Sequence, residues 1–447
     1  MILRLSVDNF KSFESKTEIS FISSSKIRGN SDHKEKIKQT SLLKYAVVYG
    51  ANASGKSNLV DAFSLIRSSV QSGIPVEASN DFCRNTENNK EIPSSFEIQF
   101  TIDNKFYVYG FRVILNKRKV VEEWLYELFQ NGELKVLFER DGEKAPTLGA
   151  RVSASEVERN RFNVYAEDFA GHDTSLFITE MNRNKNYSSK SKLIFFKKVF
   201  DWITHNMIIL NPNTAISNSA QYYDEKSLKK INQLIKTFDT GITSIAVRKI
   251  SLEEMGHMVP EPIMTQLLSD LKTNLKNVPA NQVRESFRTA TNFFNIQIND
   301  DGEMDISTLC LKHGTSVFDF EFKDESDGTR RIFDLIDMLM TKRDDIIYIV
   351  DELERSLHPK LTEHFLKLFM EAHKGQHVQL LFTTHEDSIM DQELFRRDEI
   401  WFVERSVDNT SRIYSLDRFK ERYDKKLSKE YLAGRYGAIP VLKKYSF

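Results

Sequence analysis

Cysteine is almost absent. Cys83 and Cys310 are the only two in 447 residues, too few for a disulfide framework and in no metal-ligand spacing, which fits a reducing compartment. A dominant charge is absent too. Lys+Arg number 63 against 64 Asp+Glu, a formal net charge of −1, so any contact with nucleic acid or an anionic membrane needs a local patch. Long apolar runs are missing: the strongest one beside a motif, Ile346–Val350, is five residues, far short of a membrane span. No repeat, low-complexity tract or sustained heptad register is visible, which argues against a solenoid or a long coiled coil. The first ten residues alternate like a strand and lack the apolar core of a signal peptide. The expected location is the cytoplasm, with no membrane partner. The rest is an ordinary globular composition, 28% charged and 40% apolar, long enough for two or three domain-sized units.

Along the chain, residues 2–22 read as two strands around a turn, followed by a polar surface loop from Ser23 to Gln39. Leu43–Tyr49 reads as a short buried strand, and Asn58–Val70 has helical spacing. Residues 95–138 are β-rich, with a hairpin turning at Asp103-Asn104. From about 150 to 300 the pattern becomes helical, at Lys192–His205, Glu225–Phe238 and Pro262–Leu275. Strands return at Asp305–Lys312 and Thr315–Phe322, and a helix starts near Thr329. Then come strand Ile346–Val350, helix Pro359–Ala372, strand Val378–Thr384 and strand Glu399–Glu404.

The chemistry begins at Gly50-Ala-Asn52-Ala-Ser54-Gly55-Lys56-Ser57, a full match to G-x-x-x-x-G-K-[ST] between an apolar strand and a helix. Glycines let backbone N–H groups wrap phosphates, and the helix N-terminus adds its dipole. Lys56 would neutralise the β- and γ-phosphates of ATP, and the Ser57 hydroxyl would ligate Mg²⁺. Asn52, Ser54 and Asn58 complete the expected nucleotide contacts. At the end of Ile346–Val350, Asp351 points to the metal and Glu352 to the base that polarises the attacking water.

Ser326-Asp-Gly328-Thr329 opens a helix 25 residues before Asp351. Ser326, Gly328 and Thr329 resemble the signature turn of ABC-type ATPases, which implies contact with a γ-phosphate held by a second chain; the plainer reading is a helix N-cap. His385 ends the strand Val378–Thr384, 34 residues after Asp351, where an imidazole can donate to a γ-phosphate. Lys11, in Asn9-Phe-Lys-Ser-Phe13, is a candidate phosphate contact, with a solvated turn lysine as the alternative. No glutamine can be placed as a further metal contact; Gln99 reads better as strand decoration. A basic run from Arg183 to Lys198 holds six cations, no acid and interleaved aromatics. It reads as a solvated face or as a track for phosphates.

The order Asn-Phe-Lys-Ser-Phe, phosphate loop, Ser-Asp-Gly-Thr, Asp-Glu and Thr-His resembles the RecF/SMC/OLD branch of ABC-type ATPases. Three further stretches narrow the likeness to AAA-labelled ATP-binding proteins of bacterial abortive-infection and anti-phage loci, including PARIS- and Septu-like ATPase subunits. These stretches are 352–359, 397–404 and 431–440. The resemblance covers about 1–145 and 305–440. It implies an α/β ABC-type ATPase head, a P-loop NTPase with a mixed sheet plus an antiparallel β subdomain and a mainly helical insertion. The expected division is an N-terminal lobe (1–150), insertion (151–304), C-terminal lobe (305–410) and C-terminal segment (411–447). It also implies MgATP hydrolysis in a head-to-tail homodimer or higher oligomer, and a separately encoded effector, a nuclease or toxin. Since no TOPRIM-sized stretch follows the last ATPase strand, the chain is not expected to be the nuclease itself. The alternative is a DNA-repair or DNA-maintenance ATPase binding nucleic acid directly.

Overall fold

The computed structural model describes residues 1–212, 219–261, 264–265, 267, 269, 284–289, 291–299, 303–419 and 426–440. The chain divides into two compact units, Met1–Pro212 with Arg343–Leu353 and His373–Phe447, and Asn213–Lys342 with Glu354–Ala372. The breaks fall at 212/213, 342/343, 353/354 and 372/373.

The first unit is built on a six-stranded sheet in the order Met207–Leu210, Ile346–Val350, Val378–Thr384, Tyr45–Tyr49, Ile400–Arg405, Ser411–Ser415. All neighbours are parallel except the last pair. Every residue of Ile346–Val350, Val378–Thr384 and Tyr45–Tyr49 is buried. Strands covered on both faces need apolar side chains on both, hence the unbroken runs in the sequence. Helix Lys56–Ser72 follows the middle strand and buries Leu59, Val60, Phe63, Ile66 and Val70 on one stripe.

A seven-stranded antiparallel sheet completes this unit, in the order Thr147–Leu148, Leu134–Asp141, Lys119–Leu128, Lys105–Ile114, Ser94–Ile102, Ile2–Asp8, Thr17–Ser20. Asp103 and Asn104 both take positive φ, 50° and 59°, as a two-residue hairpin turn demands. Gln379 ties the two sheets together. Its Oε1 accepts from Ile2 N at 2.6 Å, and its Nε2 donates to the Ile2 and Leu43 carbonyls at 3.0 and 2.9 Å.

The second unit pairs Ile242–Ile250, Met304–His313, Phe293–Ile298 and Arg284–Arg288 in an antiparallel sheet. It also holds the helices Glu225–Ile235, Asp327–Met340 and Pro359–Ala372. Arg288 anchors the Asp327–Met340 helix: its Nη1 is 2.5 Å from buried Asp334, and its guanidinium lies 4.9 and 4.8 Å from the Phe293 and Phe322 ring centres.

Several expectations change. The polar stretch 23–39 contains a strand, Lys34–Ile37, paired with Thr40–Leu43. Thr315–Phe322 is not a strand but a turn held by the Leu311–Phe320 bridge. Val317 and Phe318 there are 91% and 82% exposed, so their alternation has nothing to pack on. Among the described residues of 151–304, helices such as Glu156–Phe169 outweigh strands, yet Met207–Leu210 enters the central sheet and other strands build the second one. Most of the expected helix Pro262–Leu275 lies outside the described residues. Ser411–Ser415, placed in a separate C-terminal segment, is a strand of the central sheet.

Candidate functional site

In a parallel sheet the loops after the strands gather at one edge, the usual seat of a ligand. Three adjacent strands, Tyr45–Tyr49, Val378–Thr384 and Ile346–Val350, end there with the phosphate loop, His385 and Asp351-Glu352.

The phosphate loop is shaped by close approach. A Cβ on Gly50 would lie 2.5 Å from the Val403 carbonyl oxygen, and one on Gly55 would lie 2.5 and 2.6 Å from the hydroxyls of Ser411 and Ser12. Gly55 also has φ 109°, where side chains are strained. Ser411 and Ser12 brace the loop from beneath. Ser411 Oγ donates to the Ser54 carbonyl at 2.5 Å and lies 2.7 Å from Ser12 Oγ. Asn58 Nδ2 donates to that Ser12 hydroxyl at 2.7 Å, so Asn58 steadies the loop as well as standing beside it. Asn52 and Ser57 are exposed, whereas Ser54 is buried.

Lys56 is 6% exposed, its ammonium held by the carbonyls of Gly50 (2.8 Å) and Ala51 (3.1 Å) and 3.4 Å from His385 Nδ1. The ammonium can only donate in this contact, with Nδ1 as the accepting atom. The contact joins two motifs 329 residues apart.

Thr383 organises the acidic pair. Its hydroxyl donates to Asp351 Oδ1 at 2.6 Å and accepts from Glu352 N at 2.9 Å. Asp351 is 5% exposed, and Glu352 holds φ 49°, a left-handed backbone uncommon for a non-glycine residue and typical of functional positions. No cluster of three or more His, Cys, Asp or Glu side chains among the described residues can cage a metal. One exposed serine hydroxyl and one fixed carboxylate are instead the sparse oxygen set that suits Mg²⁺, which keeps waters and substrate phosphates as its other ligands.

Lys11 is engaged elsewhere. Its Nζ is 2.6 Å from Asp61 and 3.8 Å from Asp81, so the ion pair must open before Lys11 meets a phosphate. In the second unit Ser326 caps the helix Asp327–Met340, its Oγ accepting from Thr329 N at 3.1 Å and lying 3.0 Å from Thr329 Oγ1. A Cβ on Gly328 would meet the Ser356 carbonyl at 2.5 Å. His313 Nε2 bonds Glu325 at 2.6 Å just ahead of the cap. Thr383, Ser12 and Ser411 were not foreseen. Only Ser12 carried a signal, its place beside Lys11 in the first hairpin.

A phosphate loop on a helix N-terminus, an Asp-Glu pair and a histidine on neighbouring parallel strand ends define a fold of the P-loop NTPase type. The family model described as "AAA domain, putative AbiEii toxin, Type IV TA system" matches residues 46–149 and 156–391, and the chain belongs to that family. No curated protein matches. Among solved structures, the SmcHead bound to the C-winged helix domain of ScpA is 16% identical, with a TM-score of 0.43 over 93% of this chain and 97% of that one. The SMC head domain from Thermotoga maritima is 14% identical, with a TM-score of 0.32 over 93% and 98%. The Smc head with an extended coiled coil, bound to the C-terminal domain of ScpA derived from Pyrococcus furiosus, is 15% identical, with a TM-score of 0.40 over 97% and 98%. No helix among the described residues is long and apolar enough to cross a membrane.

Proposed function

We propose that the chain binds and hydrolyses MgATP in a site completed by a second copy. In this reading it uses nucleotide state to control a separately encoded effector in an anti-phage or abortive-infection complex of the cytoplasm. The observation that carries the reading is the convergence of Lys56, His385, Thr383, Asp351 and Glu352 at one sheet edge.

The glycine-shaped loop wraps the phosphates, and Lys56 exchanges its two carbonyls for phosphate oxygens. Ser57 and Asp351 would hold Mg²⁺, which would neutralise charge on the phosphate oxygens. Glu352 accepts a proton from the attacking water. His385 offers a hydrogen bond to the γ-phosphate oxygens, and Thr383 keeps the acidic pair in register.

Ser326 and the helix N-terminus behind Gly328 then grip the γ-phosphate of the partner copy, and hydrolysis removes that grip. An isologous pair of this kind holds two composite sites. The family description, with its toxin and toxin–antitoxin terms, supports the defence setting.

Steady-state ATPase on titrated mixtures of Ser326→Arg and Lys56→Ala chains tests the composite site. Each is inactive alone, and mixing restores partial turnover because a mixed pair holds one intact site. No rescue at any ratio, with mixed pairs shown to form, overturns it. Co-purification of the native complex with mass spectrometry tests the effector: recovery of the chain alone under MgATP counts against that part.

A further inference from the structure

The basic run 183–198, which the nucleotide site leaves unused, lines a surface trough in the first unit. Lys190, Lys192 and Lys198 border a cavity of about 650 Å³ together with Lys105 and Lys135. Buried Leu137, Val152 and Phe195 supply its apolar lining. A second cavity of about 490 Å³ adjoins it, since Lys105 and Glu127 line both. The second adds Lys38, Arg151 and the ring of Phe129, which is 40% exposed. The two cavities carry seven cations against three acids, in a chain whose net charge is −1.

The acids neutralise only part of this. Glu127 lies 3.2 Å from Lys105 and 3.7 Å from Lys135, Asp103 pairs with Lys198, and Glu133 pairs with Arg151 at 2.5 Å. Among the described residues no carboxylate pairs with the ammonium of Lys38, Lys190 or Lys192, although Glu158 Oε1 accepts from the Lys192 backbone N–H at 2.9 Å, and Lys38 lies over the Phe106 ring at 5.8 Å. Cationic side chains without acidic partners, lining a cavity that is partly apolar, suit a ligand with both phosphate and ring surfaces. Each cavity alone falls in the range of one small ligand. Two of them sharing Lys105 suit a chain that passes from one to the next.

We propose that this trough binds single-stranded nucleic acid, with phosphates on Lys190, Lys192 and Lys38 and a base stacked on Phe129. An exposed ring offers stacking to an unpaired base, and the paired bases of a duplex cannot use it. The test is fluorescence anisotropy with oligothymidylate and oligouridylate of about 15 nucleotides, within the usual site size, under excess MgATP that keeps the probes off the phosphate loop. The two probes distinguish DNA from RNA, and the readout needs no ATP hydrolysis.

At least one probe binds, and its log affinity falls with log salt by roughly 0.7 for each phosphate contact. Replacing Lys190→Gln with Lys192→Gln lowers that slope by roughly 1.4 and weakens binding at least tenfold at low salt. Phe129→Ala weakens binding without changing the slope. These are surface changes, and an unchanged melting curve verifies the fold. Three results overturn the proposal: no binding of either probe at about 50 mM salt, unchanged binding by the double lysine variant, or a duplex that binds as tightly and ignores Phe129→Ala.

Discussion

The two edges of the central sheet use polar residues in opposite ways. Where the parallel strands begin, buried polar groups are paired with one another. The Met1 ammonium sits 2.5 Å from Asp345, Gln379 spans Ile2 and Leu43, Lys44 reaches Glu35 at 3.6 Å, and His33 Nδ1 lies 3.0 Å from Glu399. Where the same strands end, Ser57 and His385 are exposed, Lys56 is parked on two carbonyls and Glu352 is held in a left-handed backbone. The starting edge spends its polarity on fastening the amino-terminal strands to the sheet. The finishing edge keeps its polarity within reach of a ligand.

Substitutions should therefore separate cleanly by edge, and the largest effect belongs to the finishing one. Glu352→Gln is expected to bind MgATP with near-parental affinity, to lose about 10²–10⁴-fold in turnover and to melt like the parent. Lys56→Ala loses the binding itself. Calorimetric affinity and steady-state turnover measure both, and an undiminished rate in Glu352→Gln removes the base assignment.

At the starting edge the order reverses, with stability lost and intrinsic chemistry spared. Gln379→Ala strands the Ile2 N–H, the Ile2 carbonyl and the Leu43 carbonyl in the core. Each orphaned group costs about 1–3 kcal/mol, so the total should reach about 3 kcal/mol, read as a lower denaturation midpoint. A midpoint unchanged from the parent would show that the two sheets are fastened elsewhere.

Glu399 gives this edge a pH signature. Burial pushes its carboxyl from 4.5 up to about 7, partly offset by the His33 imidazole. The folded state therefore favours the protonated form. Its contribution is fully present below about 4.5 and is lost as pH rises through about 7. Chemical denaturation across that interval should show stability falling with pH by at most about 1.4 kcal/mol per unit from this group. Glu399→Gln should flatten that component. A variant with the parent's pH profile would remove Glu399 as the source.

The two edges were also unequally legible. At the finishing edge the motifs declare themselves, because wrapping a phosphate constrains residue type and spacing together, as at Gly50, Gly55, Lys56 and Ser57. The bracing residues do not. Thr383 sits inside Leu-Leu-Phe-Thr-Thr-His and looks like any β-branched strand residue, and Ser411 becomes a brace only once its strand joins the sheet. Lys11 stood out by charge, whereas the contact beneath the loop comes from Ser12 next to it. At the starting edge Gln379, Glu399 and Asp345 find their partners across 344 to 377 residues, and no local pattern announces such a pairing. The Thr315–Phe322 strand failed for a related reason: alternation predicts a strand only when a partner face exists to bury one side.

The smallest expected effect concerns the second unit, where one side chain belongs to both categories. Ser326 caps its own helix, which alone accounts for a serine there, and Gly328 is explained by the nearby Ser356 carbonyl. Fastening and chemistry thus overlap in this turn, and truncation cannot tell them apart. Ser326→Ala should cost about 1 kcal/mol through loss of the cap and lower turnover as well. Ser326→Asp separates the two roles. Aspartate is as good a cap as serine, and its charge suits a helix N-terminus, so the melting temperature should stay within error of the parent. If the turn also grips a γ-phosphate in a partner copy, the added carboxylate repels that anion, and turnover should fall at least as far as in Ser326→Ala. Thermal melts beside ATPase rates on the same preparations decide the matter. Parental turnover in the stably folded Ser326→Asp chain would leave Ser326 as a helix cap and nothing more.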